Sequence, residues 1–110
     1  MVKGMIGDTI VAMATPSGPG ARAVIRISGP QAHKAAGRVF TPALPVERLQ
    51  VEGEVCVGEV SLPAMALTMV APRSFTGEDV VELHVPGSPV LIRLLQEELV
   101  RDGGAAGARG

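Results

Sequence analysis

The stretch from Ala71 to Pro89, Ala-Pro-Arg-Ser-Phe-Thr-Gly-Glu-Asp-Val-Val-Glu-Leu-His-Val-Pro-Gly-Ser-Pro, decides how the rest of the chain is read. A turn rich in Pro and Gly, Ala71 to Asp79, leads into a short β-branched run, Val80 to Val85, and a second turn feeds an amphipathic helix. Alternate side chains of a strand share a face. Val80, Glu82 and His84 therefore point one way, while Val81, Leu83 and Val85 point the other. The second set is the better core face, which leaves Glu82 and His84 on the face that meets solvent, ligand or partner.

Working outward, the C-terminal flank offers Ser88 as a cap and Pro89 as the opening residue of a helix. Leu91, Leu94, Leu95 and Leu99 form one stripe of that helix, and Glu97 and Arg101 lie an i,i+4 step apart on its other face. The final stretch, from Asp102 through a Gly/Ala-rich run to Gly110, has little reason to fold. It is expected either to fray or to be the remnant of a longer chain, so the domain is placed at 1–102 and a flexible tail or truncation point at 103–110.

On the N-terminal side, Asp8 to Thr15 is apolar for most of its length, as expected of a strand inside a sheet and covered on both faces. Pro16 to Ala21 reads as a turn and Arg22 to Ser28 as a second strand. Its alternation sets Ala23, Ile25 and Ile27 against Val24, Arg26 and Ser28, which leaves Arg26 as a lone charge inside a β run. Ser28-Gly29-Pro30 is a helix start with the Ser28 hydroxyl as cap, and Ala32, Ala35, Ala36, Val39 and Phe40 follow helical spacing until Thr41-Pro42. Ala43 to Gln50 is a connection. Val51 to Val60 alternates Glu52 and Glu54 with Val51, Val55 and Val57, and with Ala64 to Ala71 it predicts a hairpin turning at Ser61-Leu62-Pro63. The sum is an α+β domain with a small mixed sheet of about five strands and two or three flanking helices.

Composition narrows the function. The chain has 110 residues, enough for one domain with a modest core, and 46% of them are hydrophobic. Phe40 and Phe75 are its only aromatics, and its net charge is -1. With no Tyr or Trp for base stacking and no excess of cations, direct nucleic-acid binding is disfavoured. A single cysteine, Cys56, cannot form an intramolecular disulfide. No apolar leader or membrane-length run occurs, so a cytoplasmic location without membrane partners is expected.

Arg26 and Glu82 stand out, each a charge on the less apolar face of a strand. A guanidinium suits a carboxylate or carbonyl, and a carboxylate suits a ligand edge bearing two adjacent N–H donors. On sequence alone, a salt bridge or a solvated sheet face is the more usual meaning of such a pair. Glu82 with His84 supplies only two potential metal ligands. Cys56, Ser74 or Ser88 with His84 has no spacing that supports a nucleophile and base. Gly18 and Gly20 belong to neither a phosphate loop nor a dinucleotide fingerprint, and a plain turn accounts for them.

Three blocks carry a family resemblance: Asp8-Thr9-Ile10-Val11-Ala12 through Thr15-Pro16, Ile25-Arg26-Ile27-Ser28-Gly29-Pro30, and Ala71 through His84. In order and spacing they closely resemble the N-terminal domain of the tRNA-modification GTPases called MnmE or TrmE. The resemblance implies an α+β unit similar to the folate-binding part of the glycine-cleavage T-protein. It implies a homodimer that binds 5-formyltetrahydrofolate or another tetrahydrofolate derivative, with the family's folate-binding arginine falling on Arg26 and its glutamate on Glu82. It further implies a parent protein whose separate GTPase domain uses GTP, Mg and K. With an FAD-dependent MnmG-type partner, that parent adds a carboxymethylaminomethyl-type group to C5 of the wobble uridine of tRNA, the tRNA not being bound by this chain directly.

This chain departs from the family at two turns. Val85-Pro86-Gly87-Ser88 stands where Cys-His-Gly-Gly or Gly-His-Gly-Gly is usual, and Gly18-Pro19-Gly20-Ala21 stands where Gly-Arg-Gly-Gly is usual. The resemblance implies a folate-binding and dimerising module that is not itself catalytic. The alternatives are a folate-dependent aminomethyltransferase-like protein, or a truncated relative that only dimerises.

Overall fold

Strand alternation sets the architecture. The computed structural model describes residues 2–6, 8–14, 22–71 and 78–108, with side chains described for 8–13, 22–71 and 78–100. In chain order the elements are β1 (Val2–Ile6), β2 (Thr9–Ala14), β3 (Arg22–Ser28), α1 (Ala32–Gly37), β4 (Phe40–Thr41), β5 (Leu49–Val57), β6 (Val60–Met69), β7 (Val80–Pro86) and α2 (Pro89–Ala108). The strands form one seven-stranded sheet in the order β1-β2-β3-β7-β6-β5-β4. The fold is thus α+β, as expected.

The sheet is larger than the five or so strands anticipated, and every described pairing is antiparallel rather than mixed. The extra strands are β1, which adds an edge beyond β2, and β4, which is two residues long. Neither has a sequence signal of its own, because β1 reads as a featureless N-terminus and β4 carries too few residues to alternate.

Both helices lie on one face. Val11, Met13, Ala23, Ile25, Ile27, Val81, Leu83 and Val85 are buried there against Ala32, Ala35 and Ala36 of α1 and Leu91, Ile92, Leu95 and Leu99 of α2. Small α1 side chains let that helix sit close to β3 and β7. On α2, Leu91, Leu95 and Leu99 are buried as expected, and Ile92 joins them while Leu94 is only half-buried. Ser88 accepts from the Leu91 N–H at 3.3 Å, so the expected cap is formed. The helical backbone runs to Ala108. Arg101, the expected partner of Glu97, has a side chain outside those described, as do the turn at 16–21 and residues 72–77. Among the described residues no helix is long and apolar enough to cross a membrane.

Three expectations need correcting. β2 is interior to the sheet but, among the described residues, covered on one side only: Thr9, Val11 and Met13 are buried while Ile10 is 38% exposed. Helix α1 is shorter than its apolar spacing suggested. It stops at Gly37, and Phe40–Thr41 pairs with β5 at Val55 and Glu54. Val39 and Phe40 are buried all the same, because hydrophobic burial does not require the helix to continue. Its start is also not capped by Ser28: the Gln31 N–H is satisfied by the Thr9 hydroxyl at 2.8 Å, and Ser28 Oγ faces Glu78 at 3.4 Å.

The third correction is the hairpin. Val57 pairs with Val60, so the turn is Gly58-Glu59 and not Ser61-Leu62-Pro63. Gly58 takes φ +61°, the first central position of a tight hairpin turn. Pro63 then falls within β6, opposite Glu54. Counting from the Val57–Val60 pair, the backbone of Pro63 points away from β5, and β7 reaches only Met65–Met69 of β6. Among the described residues no neighbouring strand calls on the N–H that Pro63 lacks.

Gly29 joins β3 to α1 at φ +138°, and a Cβ there would fall 2.7 Å from the Thr9 Cα. Gly29→Ala is expected to lower stability by more than about 1 kcal/mol, combining a disfavoured backbone with a backbone clash. Urea unfolding measures it, and a variant as stable as the parent would contradict the tight β2–β3 approach.

Candidate functional site

The face of the sheet opposite the helices carries the expected site residues. Across it the strand register builds rungs, and one rung runs Ala12, Arg26, Glu82, Leu67 and Gln50 through β2, β3, β7, β6 and β5. Directly opposed side chains on adjacent strands are neighbours, so Arg26 and Glu82 are brought together by the register alone. No helix among the described residues covers this face. Ile10, Ala12, Val24, Met65, Leu67 and Met69 give it an exposed to half-buried apolar character.

Arg26 Nε donates to Glu82 Oε2 at 2.9 Å, and the terminal Nη2 donates to the same oxygen. His84 Nε2 lies 3.3 Å from the other oxygen, Oε1. Glu82 is 14% exposed and Arg26 is 43% exposed. Burial alone would raise the Glu82 carboxyl, but the hydrogen bonds and charges of Arg26 and His84 outweigh it and hold the group below the usual carboxylate value. Because solvent reaches the guanidinium, the pair contributes only about 0.2–1 kcal/mol to stability. Its larger effect is to keep Glu82 ionised, and hence purely an acceptor, at neutral pH.

Beside this pair is a cleft of about 550 Å³. Arg48, Leu49 and Gln50 at the start of β5 line it, with Leu67 and Met69 of β6 and Glu82 of β7. Its size suits a small organic ligand, and its lining combines apolar side chains with Arg48, Gln50 and Glu82. The sequence reading missed the β5 contribution because Ala43 to Gln50 carries no alternation.

Other candidates fall elsewhere. Cys56 Sγ is 3.5 Å from Ser61 Oγ, which donates to Glu54 at 2.9 Å, and Ser88 is occupied as the α2 cap. Glu82 and His84 meet, but among the described residues no three His, Cys, Asp or Glu side chains converge as metal ligands. Ser74, Gly18 and Gly20 lie outside the described residues. Asp79 anchors the strand entrance: its carbonyl accepts from the Gly29 N–H and its Oδ1 from the Ala71 N–H, each at 2.8 Å.

A family model described as GTP-binding protein TrmE N-terminus matches residues 9–110. This chain belongs to that family. It is 42% identical over 111 residues to a tRNA modification GTPase MnmE of Thermus thermophilus, a match covering 94% of this chain and 25% of the relative. The protein of the same name from Chloroflexus aurantiacus is 43% identical over 110 residues, covering 94% of this chain and 23% of the relative. That from Legionella pneumophila (strain Corby) is 41% identical over 107 residues, covering 93% and 22%. The chain thus spans about a quarter of the length of these curated relatives.

Within this TrmE N-terminal domain the Glu82 carboxylate has a pH signature. A carboxyl whose folded value is depressed contributes stability that is present above its unfolded value and is lost as pH falls through the folded value. The stability gap between the parent and Glu82→Gln should therefore be widest above the ordinary carboxylate range and shrink as pH falls below it. Urea midpoints over an acid pH series measure the gap, and one that stayed constant would show that Glu82 is not held ionised by Arg26 and His84.

Proposed function

We propose that this chain is the reduced-folate-binding and dimerising module of a tRNA-modifying GTPase. The observation that carries the reading is Glu82, an ionised and largely buried carboxylate on the open sheet face, at the wall of a cleft sized for a small organic ligand. A pterin presents adjacent N–H donors along one edge, and an ionised carboxylate is the acceptor such an edge requires. Glu82 Oε1 is only weakly engaged by His84 at 3.3 Å, so a ligand N–H can take that position while Arg26 continues to orient Oε2. Arg26 retains solvent-facing donors for a ligand carbonyl or anion. Leu67 and Met69 offer the apolar surface against which a flat ring packs. A 5-formyltetrahydrofolate held there would bring a one-carbon unit to the site.

The uncovered sheet face also supports self-association. Its apolar residues surround the Arg26–Glu82 pair, so a second copy docked there would bury them and close the site from solvent. In the parent protein, the GTPase chemistry with GTP, Mg and K, the FAD-dependent partner and the modification of C5 of the wobble uridine belong to other segments and to the assembly. This reading follows the function named for the relatives and assigns the protein to the cytoplasm.

Calorimetric titration with 5-formyltetrahydrofolate tests the reading. Saturable binding is expected, with Arg26→Ala and Glu82→Ala each losing about 1–3 kcal/mol, the range for a hydrogen bond to a charged group. A folded chain that takes up no ligand would leave a module that only dimerises.

A further inference from the structure

Arg48 is the cation of the cleft that nothing described so far uses. It is exposed, and among the described residues it has no ion-pair or hydrogen-bond partner, whereas Arg26, at the other side of Glu82, is paired. The rung that runs Glu82, Leu67, Gln50 crosses two strand spacings, about 10 Å, and Arg48 lies two residues before Gln50. That separation keeps Arg48 from neutralising Glu82. The cleft therefore has a carboxylate at one end, an unbalanced cation at the other, and Leu67, Met69 and Leu49 between them.

The backbone on either side of Arg48 is held in place. Thr68 is 1% exposed, and its hydroxyl donates to the Glu47 carbonyl while accepting from the Leu49 N–H at 3.0 Å. A buried polar group is stable only when its hydrogen bonds are made, and those of Thr68 go to the residues flanking Arg48. The segment that presents the arginine is therefore fixed, although the side chain itself faces solvent. A preorganised backbone lowers the cost of ordering a long cationic side chain on an anion.

We infer that Arg48 is the anion-binding end of this cleft and takes the acidic tail of the ligand whose N–H edge Glu82 accepts. This rests on the folate reading, and the ligand class it specifies is an amphiphile with a donor edge, a flat apolar body and a terminal carboxylate. Arg48 then sets the preference for the tailed cofactor over a bare pterin. The guanidinium can meet a carboxylate in two-point geometry, which an ammonium cannot, so Arg48→Lys retains only part of the contact.

The test compares 5-formyltetrahydrofolate with 6-methyltetrahydropterin, which keeps the donor edge and lacks the tail, by calorimetry on the parent, Arg48→Gln and Arg48→Lys chains. The parent is expected to bind the tailed ligand more tightly. Arg48→Gln should weaken that ligand roughly ten-fold and flatten its salt dependence, leaving the pterin unchanged, with Arg48→Lys between the two. Equal affinity of parent and Arg48→Gln for the folate overturns the Arg48 assignment and leaves the folate reading standing. So does an equal loss for both ligands. A parent chain that binds neither ligand overturns both. Arg48 is exposed, so the variants keep the parent's thermal transition, which serves as the folding control.

Discussion

The pairing of β3 with β7 is the constraint on which the rest of this structure depends. These strands lie next to one another inside the sheet, and their register sets Ile25 against Leu83, Ile27 against Val81 and Arg26 against Glu82. A slip of one residue would turn the aliphatic set to solvent and drive the charged set under the helices. Ionised groups in that core would cost far more than their mutual attraction returns. The hydrophobic face therefore fixes the register, and the register places the arginine beside the glutamate. The polar site is a by-product of packing on the opposite side of the same two strands.

That dependence explains how much could be read from the chain alone. Where a strand alternates cleanly, as in Arg22 to Ser28 and Val80 to Val85, its limits, its buried face and its charged face follow from the order of residues. The helix beginning at Ser88-Pro89 was legible for a similar reason, since cap, opening proline and leucine stripe agree. Features set by partners distant in sequence were not legible. β4 exists because Val55 and Glu54 offer it an edge, not because Phe40-Thr41 prefers extension. The α1 start uses a hydroxyl from Thr9, in another strand. The turn at Gly58-Glu59 was obscured by Pro63, whose usual meaning as a breaker is suspended where no neighbour needs its N–H. The pairing of Arg26 with Glu82 was foreseeable as two charges on corresponding faces. The cleft beside them was not, because its near wall begins in a connection without periodicity.

Energetically, fold and site are separable. The core is a sheet face filled by Val, Ile and Leu with two helices over it, and burial of those side chains supplies the driving force. The Arg26–Glu82 pair adds little, since solvent screens the guanidinium. A pair whose guanidinium is half-exposed and whose net stability is small can be reorganised by a ligand without threatening the fold, and the carboxylate it keeps ionised is the group a donor-rich ligand needs. The fold is thus stabilised by the helix-side core, and the Arg26–Glu82 pair contributes little to it.

The position of Pro63 has a consequence for the molecule's behaviour in company. The β5–β6 ribbon continues past the end of β7, so among the described residues part of β6 has a free edge, and free edges are where sheets of separate molecules join. A row of unpaired N–H and C=O groups would invite a foreign strand to zip on. Pro63 interrupts that row by removing a donor midway, and it does so in a segment whose inner edge is already satisfied by β5. A residue that looks like a defect in a strand thereby makes that edge a poorer template for a foreign strand, in a sheet whose face opposite the helices is uncovered among the described residues.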